Sequence, residues 1–327
     1  MYEVKHRTVE SNGIDLHVAE QGEGPLVVLC HGFPECWYSW RHQMKALAAA
    51  GFRAVACDQR GYGHSSAPES VDAYTLCHLA GDIVGLVYAL GETRATVVGH
   101  DWGSAVAWTS ALLRPDMFHS VCLMSVPFLP FTIGQPKLTQ QMRVTFGNLE
   151  FYQLYFQEPG KAEKELEENV RASLLKLLYA GSGDAPADQS FRFVFDKSQR
   201  FIDAHVLPSG LPAWLNDADL EYFTREFERT GFRGGLNWYR NLDRDFELLA
   251  PLANARIEQP TLFVAGDRDV CITMYRDAYD ALEQTVPGLV GKRLLAGAGH
   301  WVQQERPDQV NDLLLGFMQR ARTAGMS

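Results

Sequence analysis

Thr96–Ser104 reads TVVGHDWGS, and Ala105–Leu113, AVAWTSALL, follows it. A short β-branched run ends at a glycine, one acidic residue stands alone, and small residues open a stretch of helical character. Gly99, Gly103 and Ser104 allow a strand and a helix to cross closely while the side chain between them is held up on a strained bend. Asp101 occupies that bend. Asp is also a common helix cap, which is the plainer reading of a lone acid here. The glycines on either side and a histidine far downstream favour a nucleophile.

Working outward, similar short apolar runs recur at Leu26–Cys30, Arg53–Cys57, Val121–Ser125, Thr261–Ala265 and Arg293–Ala296. Each is apolar on both faces, as strands covered on both sides of a parallel sheet must be. Segments with helical spacing, such as Trp40–Ala50 and Leu79–Leu90, lie between them. This alternation predicts an α/β fold with a mostly parallel, doubly wound sheet. Between 128 and 247 the strand-like runs stop and the chain becomes helical and aromatic, broken by loops near Gly181 and Leu207. The expected organisation is a core of 1–127 and 248–327 with a helical cap, 128–247, inserted into it.

Ligands of open parallel sheets bind at the carboxyl ends of the strands, so the residues just after each strand come first. Thr261–Ala265 leads into Gly266-Asp267-Arg268-Asp269, and Arg293–Ala296 leads into Gly297-Ala298-Gly299-His300-Trp301. Nucleophile, acid and histidine then follow in chain order. Asp269 is the preferred acid and Asp267 the alternative. His300 would take a proton from water while the acid orients its ring. The first covered strand ends in His31-Gly32-Phe33-Pro34, where the Phe33 amide, with that of Trp102, can serve as an oxyanion hole. Such a donor contributes on the order of 3 kcal/mol. His31 and His100 are read as supports of the backbone turns.

No G-x-S-x-G occurs in the chain, so a serine esterase lacks its nucleophile here. A carboxylate is ionised without help and can displace at saturated carbon, forming an alkyl ester that water must then break. Strained epoxides and alkyl halides are the suitable electrophiles.

Taken together, HGFP at 31–34, DQRGYGHSSAP from Asp58, GHDWG at 99–103, FYQLYFQEPG from Phe151, GFRGGLNWYRN from Gly231 and GHW at 299–301 resemble the soluble epoxide hydrolases. The likeness runs through nearly the whole chain and implies an α/β-hydrolase fold. It also implies that Tyr152 and Tyr239 donate hydrogen bonds to the epoxide oxygen, whereas Tyr155 is read as packing. Ser104 stands where relatives often carry Gly. The expected substrate-binding surface comprises Phe33, Pro34, Trp102, Tyr152, Tyr239 and Trp301. A haloalkane dehalogenase would share Asp101, Trp102, Asp269 and His300, but a departing halide has no need of paired phenols. A silent receptor on the same fold would not need the full catalytic set.

The net charge of −10 argues against a nucleic-acid partner, which calls for a basic surface. The six cysteines are scattered, several in apolar runs, and read as reduced thiols of a cytoplasmic protein. No apolar run reaches membrane-spanning length and no signal peptide is evident. The partners implied are an epoxide and water, with no metal or organic cofactor. The sequence does not decide between a monomer and a homodimer.

Overall fold

A computed structural model describes residues 3–131 and 134–323. Among these residues ten strands appear: β1 Lys5–Ser11, β2 Ile14–Gln21, β3 Leu26–Cys30, β4 Arg53–Cys57, β5 Ala95–His100, β6 Phe118–Met124, β7 Leu149–Phe151, β8 Val194–Asp196, β9 Thr261–Gly266 and β10 Leu289–Leu295. Eight of them form one sheet in the order β1-β2-β4-β3-β5-β6-β9-β10. β1 and β2 are antiparallel to their neighbours, and from β4 to β10 the sheet is parallel.

The apolar runs read from the sequence are the buried centre of this sheet. β3, β5 and β9 are buried at every position. Successive residues feed two separate cores, Val28, Val55, Val97 and Val121 on one face, and Val27, Ala54, Val98 and Cys122 on the other. Register brings Cys30 beside Gly99, His100 beside Met124 and Met124 beside Val264. Four strands therefore end along one edge, and the loops leaving them can share a site.

Two differences from the sequence reading stand out. The β1–β2 hairpin extends the sheet at one end, where β1 is mostly exposed and carries no covered apolar run. The segment between β6 and β9 is not purely helical: β7 and β8 pair as a small antiparallel ladder. Its other described elements are helices, including Leu138–Phe146, Val170–Gly181, Asp217–Thr230, Arg233–Arg240 and Leu242–Leu248, joined by loops. All six cysteines are unpaired, five of them buried. No helix among the described residues is long and apolar enough to cross a membrane.

Candidate active site

Asp101 sits between β5 and the helix Trp102–Leu113 with φ 54° and ψ −121°, a conformation that L-residues rarely adopt. The neighbours permit it. A Cβ on Gly99 would collide with the backbone of Gly103, one on Gly103 with the carbonyls of Cys30 and His31, and one on Gly32 with the Asp101 carboxylate. Ser104 is small enough for the same crossing, and its hydroxyl donates to the Val126 carbonyl at 2.7 Å.

The Phe33 amide donates to Asp101 Oδ1 at 2.9 Å. His300 approaches from the other side, with Nε2 3.5 Å from Asp101 Oδ2 and Nδ1 3.1 Å from Asp269 Oδ1. Asp269 is buried and also accepts from the Cys271 amide at 2.9 Å. Asp267 is exposed and accepts from the Gly297 amide instead, so the alternative acid stays outside the site. Burial alone would push the His300 imidazole down. The facing carboxylates, Asp269 above all, outweigh it and hold the imidazolium form well above the ordinary histidine range.

Behind these groups lies a network that the sequence reading missed. Glu35 is fully buried, and its carboxylate accepts from the Gly32 amide at 3.0 Å, His100 Nδ1 at 2.7 Å, Gln303 at 3.0 Å and Gln304 at 3.2 Å. Burial would raise this carboxyl, but His100 and the Gly32 amide prevail and it falls to about 2. His100 Nε2 reaches the His300 carbonyl at 2.7 Å, and Ser125 donates to that same carbonyl at 2.7 Å. The His300 amide in turn donates to the Gly181 carbonyl at 2.7 Å. His100 thus ties the glycine loop after β3 to the histidine loop after β10. His31 holds its own turn through the Gly32 carbonyl, and the Gln59 amide donates to its other nitrogen. One sequence signal was available: Glu35 is an acid directly after HGFP in an otherwise apolar stretch.

Above Asp101 the walls are aromatic. Tyr152 and Tyr239 lie 5.9 Å apart by ring centroid, and Tyr239 packs edge-on against Trp102 at 5.1 Å and Phe33 at 5.6 Å. Burial lifts both phenols well above their ordinary range, so they stay protonated donors. Gln153 donates to the Tyr152 hydroxyl at 2.9 Å, which leaves the phenolic proton free to point elsewhere. Tyr155 is buried against Phe195 and Phe201, away from the cavity.

Two cavities meet at this point. A smaller one, about 50 Å³, is lined by Phe33, Pro34, Phe191, His300 and Trp301 among others. A larger one, about 270 Å³, runs past Trp102 toward Leu76. Asp101, Tyr152, Tyr239 and Cys271 line both. The structure thus brings together Asp101, His300, Asp269, Phe33, Tyr152 and Tyr239. Among the described residues, Asp269, Cys271 and His300 are the group with metal-ligand chemistry. Asp269 and His300 already engage each other there, and burial pushes the Cys271 thiol up to about 11.

Residues 25–307 match the alpha/beta hydrolase fold family. Over 95% of its length the chain is 46% identical to epoxide hydrolase A of Mycobacterium tuberculosis, covering 96% of that protein. The chain belongs to the epoxide hydrolases. Solved structures of this family agree closely. An epoxide hydrolase from an endophytic Streptomyces superposes with a TM-score of 0.94 at 48% identity, over 98% of this chain and 96% of its own. Epoxide hydrolase A from Mycobacterium thermoresistibile gives 0.90 at 44% identity, over 97% of this chain and 98% of its own.

Proposed function

We propose that this epoxide hydrolase converts epoxides to vicinal diols in two steps through an alkyl ester on Asp101. The observation that carries the reading is two protonated phenols, Tyr152 and Tyr239, lining the same cavities as the carboxylate. An opening epoxide leaves an alkoxide, which needs donors and finally a proton. A departing halide is met by indole or amide N–H donors and takes no proton, so paired phenols would serve no purpose and the dehalogenase reading is set aside.

In the first step an Asp101 oxygen attacks one oxirane carbon, the carbon–oxygen bond breaks, and the alkoxide takes its proton from the tyrosine pair. Esterification removes the charge of one carboxylate facing His300. The imidazolium is then held less tightly, gives its proton back to the tyrosine pair so that both phenols are restored, and becomes a base poised by Asp269. In the second step water attacks the Asp101 carbonyl carbon and gives its proton to His300. The Phe33 and Trp102 amides receive the developing oxyanion, aided by the start of the helix Trp102–Leu113. Collapse breaks the ester carbon–oxygen bond, His300 protonates the leaving oxygen of the diol, and the proton left on the Asp101 carboxyl passes to His300, which restores the carboxylate and the imidazolium. Pro34 and Trp301 shape the smaller cavity.

Residues 128–247 act as a lid that supplies both phenols, while 1–127 and 248–327 carry the hydrolytic groups. The six unpaired thiols fit a reducing compartment such as the cytoplasm.

Single turnover in heavy-oxygen water tests the scheme. The isotope should enter the Asp101 side chain, detected by peptide mass. Its direct appearance in the diol, with none in Asp101, would overturn the covalent route.

A further inference from the structure

The larger cavity is walled by apolar side chains, including Leu76, Val126, Leu129, Phe131 and Met142. Three ionisable groups in it, Cys271, Tyr275 and Asp245, have no part in the chemistry above, and Asp245 is the one carboxyl among them. Asp245, on the helix Leu242–Leu248, lines the cavity yet is only 4% exposed. One of its oxygens accepts from the Leu76 amide at 2.7 Å. The other has no hydrogen-bond partner among the described residues. Trp108 lines the same cavity, and its indole N–H is also without a partner. Two other polar side chains of this wall are engaged with neighbours, Gln153 with Tyr152 and Tyr275 with Gln153.

A carboxyl oxygen that borders an apolar chamber is better satisfied by a ligand group that matches it than by an apolar one. We propose that Asp245 is a specificity-determining residue: the larger cavity takes an epoxide substituent bearing a hydroxyl, which bonds the free carboxyl oxygen. The proposal rests on the epoxide-opening function assigned above. A hydroxyl both donates and accepts, which suits a carboxyl that can do the same and an indole N–H that only donates. Burial pushes the Asp245 carboxyl up to about 8, against the pull of the Leu76 amide and Arg244. Near neutrality it is therefore mostly a neutral acid, which favours an uncharged partner over an ammonium group.

The test compares kcat/KM for three matched epoxides, one with a plain alkyl chain, one with that chain ending in a hydroxyl and one ending in an amine. Each is run with the wild type, Asp245→Asn and Asp245→Leu. Asn keeps an acceptor for the Leu76 amide and can still bond a hydroxyl. The hydroxyl-to-alkyl ratio should fall about tenfold or more in Asp245→Leu and hold in Asp245→Asn. An unchanged ratio in Asp245→Leu overturns the proposal. So does a wild-type preference for the amine that Asp245→Asn abolishes. If Asp245→Leu fails to fold, product inhibition of the wild type decides: the triol should bind at least as tightly as the plain diol, and binding tenfold weaker overturns the idea. Failure to turn over any of the three epoxides would instead strike at the parent function.

Discussion

Beneath Asp101, charged and polar groups hold one another through the core. Glu35 alone accepts four hydrogen bonds, from the glycine loop, from His100 and from two glutamines of the C-terminal region. Above Asp101, rings pack on rings: Tyr152 touches Phe151, Phe156, Phe191 and Phe193 as well as Tyr239. Directed bonds also tie the two regions together, such as Trp238 to the Arg60 carbonyl at 3.2 Å, Arg41 to Asp219 at 2.9 Å and the His300 amide to the Gly181 carbonyl at 2.7 Å. Directional bonds fix atoms to tenths of an ångström, which ester hydrolysis demands. Aromatic packing fixes a shape and excludes water, which is what substrate selection demands. On this division, damage to the floor should stop the second step and damage to the roof the first.

The largest effect should come from the floor. Asp101→Ala is expected to lose at least about 10⁴-fold in turnover, since no other carboxylate can form the ester. His300→Gln should still open the ring and then stall, giving an adduct on Asp101 by intact mass. Free diol production without an adduct would break the division of labour.

From the roof, Tyr152→Phe combined with Tyr239→Phe should slow ring opening by about 10³-fold or more, two donors being lost. Breakdown of preformed ester should be unaffected, which rapid-quench measurements can separate. Near-normal opening would reduce the roof to a shape.

Glu35→Gln probes how far the floor acts as a unit. Removing the charge that faces His100 in a fully buried site should cost about 3 kcal/mol of stability by urea unfolding. A loss under about 0.5 kcal/mol would mean the loops after β3 and β10 are held by other contacts.

The smallest effect should come from the roof, and it depends on pH. In the folded chain Asp245 titrates at about 8, against about 3.9 when unfolded. Between these values the unfolded chain gives up the proton and the folded chain keeps it, so stability declines as pH rises across that window. Asp245→Asn removes the decline. It should match the wild type near pH 4 and exceed it by on the order of 2 kcal/mol near pH 8. Equal stability at both pH values would show that the carboxyl ionises freely in place.

How much of this was legible in the sequence follows from the same contrast. Strands covered on both faces announce themselves as apolar runs, and Arg53–Cys57 begins and ends where the sequence reading put it. The β1–β2 hairpin and the three-residue strands β7 and β8 carry no such run. Asp101, Asp269 and His300 were readable because glycines mark the bends that carry them. Glu35, Gln153 and Asp245 were not, since their meaning lies in partners such as Gln304, 269 positions from Glu35, and Leu76, 169 positions from Asp245. Local pattern carries no trace of such pairings.

The unequal chambers flanking Asp101, about 50 and 270 Å³, bear on handedness. An oxirane with one short and one long arm must lie across the waist in a single sense. Its oxygen must also meet the phenols, so mirror-image molecules cannot seat both arms and the oxygen equally well. A racemic mixture offered to this enzyme will be consumed at two different rates.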